Sequence, residues 1–341
     1  MRPVLLLMLL AACSSSAPEA AKPAATPAAA PAATAPAAAA TPAAAPSAPS
    51  RLITGAGVRV RAAADAASAE VVKLSLGTVV TELEQSAHKA KVGDKEDVWV
   101  RVRTADGKEG WVFGGFTQTV DPAKASEALL ALARARSADP KAGFAELADL
   151  VGALERLAPT VQGQVSLEAR YLRLVALQAA VSAFEREGSK AAGGKAFIDA
   201  HKEVFMDEIS ASYMVGGQAI EDVLKEARGT PLEEPIQWSA AIWPSGGECE
   251  GDPMCVSGRA LGDYGEYAKK FPKGPHVKEA LDGMKSSFDY IADDADFKEY
   301  GVEKKDMDAR LAELEAILKA AAPGDAAWTA LIGKIKKKNG G

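Results

Sequence analysis

Between residues 52 and 120 apolar side chains recur at every second position. Beyond residue 121 they recur every third or fourth. That change of period constrains the fold more than any other feature of the chain. In the first stretch Val58 and Val60 alternate with Arg59 and Arg61, and Val72, Leu74 and Leu76 alternate with Val71, Lys73 and Ser75. Val79, Thr81 and Leu83 follow Gly77, and Val98, Val100 and Val102 alternate with Trp99, Arg101 and Arg103. Alternation rich in β-branched residues marks half-buried strands. Asp106-Gly107 between Val102 and Trp111 is a hairpin signal. The pattern predicts a small β-barrel over 51–120, with Trp111 and Phe113 in its core. The insert from Glu84 to Asp97, with His88, Lys89, Lys91 and Lys95, reads as a mobile charged loop.

The second stretch, 121–341, reads as an all-α domain of about nine helices. Asp121-Pro122, Asp139-Pro140 and Asp252-Pro253 share one grammar: aspartate caps free N–H groups and proline fits the first helical turn. Phe144, Leu147, Leu150, Val151, Leu154 and Leu157 form one apolar stripe. Leu167, Tyr171, Leu174, Val175, Val181 and Phe184 form another on a longer helix. Further helices are predicted over 196–215, 218–227, 254–270, 276–292, 303–321 and 326–337, with no strand among them.

The first fifty residues belong to neither pattern. Met1-Arg2-Pro3 is followed by an apolar run from Val4 to Leu10, far short of the ~20 residues that span a bilayer. The order basic, apolar, small is that of a secretory signal over 1–12. Leu10-Ala11-Ala12-Cys13 resembles the lipobox of bacterial lipoproteins. The resemblance implies cleavage before Cys13, acylation of its thiol and new amino group, and, with Ser14 behind it, outer-membrane placement facing the periplasm. Residues 13–50 are almost wholly Ala, Pro, Ser and Thr, with a proline every four to six residues, and read as a disordered tether.

Val58-Arg59-Val60-Arg61, Leu76-Gly77-Thr78-Val79-Val80, Trp99-Val100-Arg101-Val102 and Asp106-Gly107-Lys108-Glu109-Gly110-Trp111-Val112 resemble, in order and spacing, the bacterial SH3-like (SH3b) domain. Arg59 stands where that family often has Asn, and Ala64 where it often has Pro. The resemblance implies contact with peptidoglycan or a peptide, or a spacer role. Farther on, Leu261, Tyr264, Tyr267, Ala268, Phe271 and Pro272, then Ala280 and Leu281, resemble one tetratricopeptide-type helical hairpin, although a stable solenoid needs about three such units.

Candidate chemistry is sparse. With 46 acidic against 40 basic residues the net charge is −6, which argues against nucleic acid as a partner. Three histidines form no metal motif. His201 reads as a packed core residue, and the acidic run Asp293, Asp294, Asp296 as a helix end. No metal, cofactor or catalytic set is expected. On the barrel, Trp99, Arg101 and Arg103 share one strand face. They form either a surface that stacks on sugar or peptide and pairs with a carboxylate, or a tryptophan under a loop beside two solvated arginines. With Cys13 acylated, Cys249 and Cys255 remain as an even pair in an exported chain, and a disulfide between them is predicted. The functional expectation is a non-enzymatic lipoprotein of the cell envelope. It is anchored by lipid, its barrel touches cell wall or peptide, and its helices dock an envelope protein. The alternative is a cell-wall hydrolase, or a regulator of one, working through the helical part.

Overall fold

The computed structural model describes residues 49–340. The signal sequence, the lipidation site at Cys13 and nearly all of the tether lie outside the described residues.

Seven strands form one curled antiparallel sheet: β1 (Ser50–Ile53), β2 (Val58–Arg61), β3 (Glu70–Leu74), β4 (Val79–Val92), β5 (Lys95–Arg103), β6 (Glu109–Phe113) and β7 (Thr117–Val120), in the order β3-β2-β6-β5-β4-β1-β7. Its inner face is the one the alternation predicted. Ile53, Val60, Val100, Val102 and Val112 are fully buried together. The insert read as a loop is instead the outer part of the β4–β5 ribbon, which keeps pairing to Val92↔Lys95. Bulges at Glu82/Glu84 and Gln85/Lys89 curl it, and Gly93, at φ +63°, closes its two-residue turn. Its charges lie on a paired ribbon, where cross-strand partners such as Lys91 and Glu96 stand opposite each other.

The helices are α1 (Ala125–Ser137), α2 (Phe144–Leu157), α3 (Gly163–Glu187), α4 (Gly194–Ala200), α5 (Gly217–Ala227), α6 (Glu233–Ala241), α7 (Pro253–Ala260), α8 (Glu266–Lys270), α9 (Val277–Asp293), α10 (Lys304–Ala321) and α11 (Ala326–Asn339). A π-turn over Leu261–Gly265 joins α7 to α8. Asp252 caps α7 through Met254 N, as its Asp-Pro grammar predicted. Asp121 caps only a short 3-10 turn that leads into α1. Asp139 bonds Lys141 N in a turn, and α2 begins later, at Phe144, where the Glu187 carboxylate accepts the Phe144 N–H at 2.8 Å. That long-range cap stands in for the side chain Gly143 lacks.

The predicted helix 196–215 is overturned. It stops at Ala200, because His201 takes extended dihedrals of −104° and 98°. An antiparallel hairpin follows, β8 (Val204–Asp207) and β9 (Ser212–Val215). His201 packs its ring on Phe197 at 4.2 Å and bonds the Phe197 carbonyl through Nδ1.

Two cores hold the helices. The first runs from Leu129 to Ile236, and Leu52, Leu76 and Val120 of the sheet are part of it. The second gathers Ala241 through Ile335. Helix α6 contributes Ile236 to the first and Ala241 to the second. The acidic run at the end of α9 is tied down: Asp293 pairs with Lys334, and Asp296 accepts the Lys298 and Glu299 amides. Lys338 reaches the Ile291 and Ala292 carbonyls.

The sheet is welded to α2 through the β3–β4 turn. Asp149 Oδ2 accepts Leu76 N at 2.8 Å and Gly57 N at 3.4 Å. Seven residues on, on the same helix face, Arg156 Nη2 donates to Leu76 O at 3.3 Å. Between them Ala153 receives Gly77, where an added Cβ would lie 3.0 Å from the Ala153 methyl and φ is +82°.

Candidate functional site: a cleft between the sheet and the second helix

A cleft of about 790 Å³ opens between the sheet and the start of α2. Its floor is aromatic. Trp99 and Phe113 are register partners on β5 and β6, with ring centroids 5.6 Å apart and edge-to-face. Phe113 meets Phe116 in the same way at 5.7 Å. The glycines between them permit this: a Cβ on Gly115 would lie 2.7 Å from Phe113, and one on Gly114 would lie 2.7 Å from the Val98 carbonyl. One wall is the β1–β2 loop, residues 54–57. Another is the end of the ribbon, where Val92 and Lys95 face inward. Lys95 Nζ sits 4.7 Å above the Phe116 ring and donates to Gly115 O at 2.9 Å. The far wall is helical, formed by Arg136, Phe144, Glu146 and Glu187.

The lining is cationic although the chain is acidic. Arg59, Arg61, Lys73, Lys95 and Arg136 face two carboxylates, Glu146 and Glu187. Both carboxylates are already engaged: Glu146 pairs with Arg136 at 3.0 Å, and Glu187 caps α2. Arg59 pairs with Glu70 at 3.1 Å in an exposed contact, and Arg61 holds the Ser68 carbonyl. Lys73 lies over Gly57 and, among the described residues, meets no carboxylate within ion-pair distance. A lining of this kind has the chemistry to pair an anionic group at its rim and to cover an apolar or sugar face on its floor.

The expected trio does not form one surface. Trp99 is 4% exposed and packed edge-to-face on Phe113, so it offers the cleft little surface. Arg101 turns away to Glu84 at 3.2 Å and Glu109 at 2.9 Å, and Arg103 joins Glu109 at 2.6 Å. The bound Arg103 guanidinium holds the Glu109 carboxyl below the usual carboxylate range. The arginines therefore neutralise neighbours on an outward sheet face. Trp111, read as core, is half-buried on that face, in register with Arg61 and Arg101. Sequence reasoning missed the cleft cations and the helical wall. Arg136, Phe144 and Glu187 carry no local signal, because only tertiary packing brings them to the sheet.

Cys249 and Cys255 are joined by a disulfide, with Cα atoms 5.4 Å apart. Among the described residues, no three His, Cys, Asp or Glu side chains converge as metal ligands, and no helix is long and apolar enough to cross a membrane.

Comparison with known proteins agrees with the sheet. No curated protein and no solved structure matches the chain. Residues 56–118 match the bacterial SH3 domain, so the curled sheet is a domain of that family, followed by a helical region.

Proposed function

We propose that this chain is a non-enzymatic binding protein of the bacterial cell envelope. It is held there by acylation at Cys13 and oriented into the periplasm from the outer membrane. Its SH3 domain takes a carboxylate-bearing peptide of the cell wall, and its helical part docks an envelope protein. The observation that carries this reading is the cleft between sheet and α2, with its aromatic floor and its excess of guanidinium and ammonium groups. Charge-assisted pairs at the rim fix a carboxylate, while the floor covers the apolar remainder of the ligand.

Trp99 is too buried to be a clean probe, so the test uses the exposed rim of the full chain. Wild-type protein is expected to co-sediment with purified sacculi in a salt-sensitive manner. The double variant Arg59→Glu with Lys73→Glu is expected to lose at least tenfold in affinity. Equal sedimentation of variant and wild type, or none by either, refutes the cleft as a wall-binding site. Membrane fractionation of Cys13→Ser tests the anchor separately; an unchanged membrane share would refute it.

A further inference from the structure

The β8–β9 hairpin is closed along one edge and open along the other. On β9, the Tyr213 and Val215 amides point away from β8 and are taken by Glu185 and Gln178 of α3, at 2.5 and 2.8 Å. The Val215 carbonyl accepts from Trp243 Nε1 at 2.9 Å. With that edge filled, Phe205 and Asp207 turn their backbone groups toward β9, opposite Met214 and Ser212. The N–H and C=O of Met206 then face outward; among the described residues no strand but β9 pairs with β8, and the Gly246–Gly247 turn touches Phe205 and Asp207.

The open edge is apolar. Phe205, Met206 and Ile209 are 43, 42 and 60% exposed, three of the six large exposed hydrophobics among the described residues, within five positions. Proteins usually blunt such an edge with Lys, Pro or a bulge. Val204-Phe205-Met206-Asp207 is a short strand whose one charge is Asp207, with no Lys, Pro or bulge. The charges on the hairpin itself are acidic, although Lys202 precedes it and Arg259 holds the adjacent Gly246–Gly247 turn. Asp207 and Glu208 lie on the hairpin, whereas the nearby Glu203 is already spent on Arg173. A second copy of this strand, or an anionic lipid surface, would meet like charge.

We infer that β8 is a strand-addition site for an extended segment of a partner protein in which apolar residues alternate with Lys or Arg. Its backbone pairs with Met206, its apolar side chains lie on the Met206 face, and its cations lie on the opposite face, beside Phe205 and Asp207. The inference rests on the reading that the helical part docks an envelope protein and names the surface that does so.

The test titrates the full chain with a fluorescent decapeptide of alternating Val and Lys, and with two versions N-methylated on one or the other set of alternate residues. Saturable binding is expected, weakened at least tenfold by one methylation pattern and less than twofold by the other, since only one set of amides faces the edge. Met206→Lys and Ile209→Lys, both at exposed positions, are expected to weaken binding at least tenfold each. Absence of saturable binding, equal loss with both methylation patterns, or indifference to both substitutions overturns the inference. So does self-association, or adsorption to anionic vesicles, that either substitution abolishes. A photocrosslinker at Ile209 and another at Lys319, exposed on α10 away from the hairpin sequence, separate the two claims in the intact envelope. Adducts from Lys319 alone keep the docking function and remove it from β8; adducts from neither, with no peptide binding, end both.

Discussion

Replacing Asp149 by Ala removes the side-chain acceptor that α2 offers to the β3–β4 turn. Leu76 is fully buried and its N–H ends on Asp149 Oδ2 at 2.8 Å, so truncation leaves that donor without a partner. A hydrogen bond to a charged group contributes about 1.5–3 kcal/mol, and an orphaned buried donor costs about 1–3 kcal/mol. The second contact, from Gly57 N, is long at 3.4 Å and adds little. The expected loss is about 2 kcal/mol, which corresponds to about 30-fold in an opening equilibrium. Asp149→Asn retains an acceptor oxygen and is expected to lose less than half as much. Arg156→Met removes the donor to Leu76 O, and because both side chains grip one residue, the two losses are expected to be non-additive. Hydrogen exchange of the Leu76 amide in the full chain reads the effect directly. Protection within twofold of wild type in Asp149→Ala would refute the weld. If the weld holds, residues 51–120 expressed alone lack it and expose Leu52, Leu76 and Val120, each worth about 1.5–3 kcal/mol when buried. The SH3 sheet is then stable only as part of the longer chain.

Much of this fold is legible in the sequence because period reports which side chains share a face. Val58, Val60, Val100 and Val102 alternate, and all point into one core. Period does not report what lies over a face. Trp99 and Arg101 are two residues apart on one strand and share its outward side. Phe113 packs edge-to-face on the tryptophan, while the arginine stays at the surface with Glu84 and Glu109. The same limit hid the cleft. Its helical wall begins at Arg136, far along the chain from Arg59, and no local pattern announces that packing. At 196–215, Phe197, His201 and Phe205 recur every fourth residue like a helix stripe. The β-favouring residues Val204, Phe205, Tyr213 and Val215 are too few to outvote it, and the turn at His201 is visible only in the backbone. The disulfide was legible because it depends on the number and spacing of the cysteines, not on packing.

Three further outcomes are expected. Gly110→Ala would place a methyl 2.6 Å from the Arg61 carbonyl on the neighbouring strand; since that atom is backbone, the sheet is expected to lose about 1–3 kcal/mol by urea unfolding, and an unchanged midpoint would contradict the close approach of β2 and β6. Burial, together with its bond to Glu234, pushes the Tyr267 hydroxyl up to about 12; its folded pKa is raised, so its contribution is intact below about pH 10 and is lost as pH rises through 12, an alkaline loss of about 2–3 kcal/mol that Tyr267→Phe should abolish, and ionisation of this tyrosine near pH 10 by difference absorbance would refute it. The last outcome concerns the disulfide. Cys249–Cys255 closes a loop of only seven residues, worth about 2.4 kcal/mol in the chain-entropy model. The loop is also held by Tyr290, which donates to Gly251 O at 3.2 Å, and by Arg259, which donates to Gly246 O at 3.1 Å. Cys249→Ser with Cys255→Ser is therefore expected to leave the fold intact and to loosen the loop. Because Gly247 N reaches Asp207 Oδ1 at 3.4 Å, the loosening should pass to the hairpin, seen as faster exchange at Gly247 and along β8 with Leu76 unchanged. Equal exchange at Gly247 in the oxidised and the cysteine-free chain would show that the side-chain bonds alone hold the loop and that the bridge supports neither it nor the hairpin.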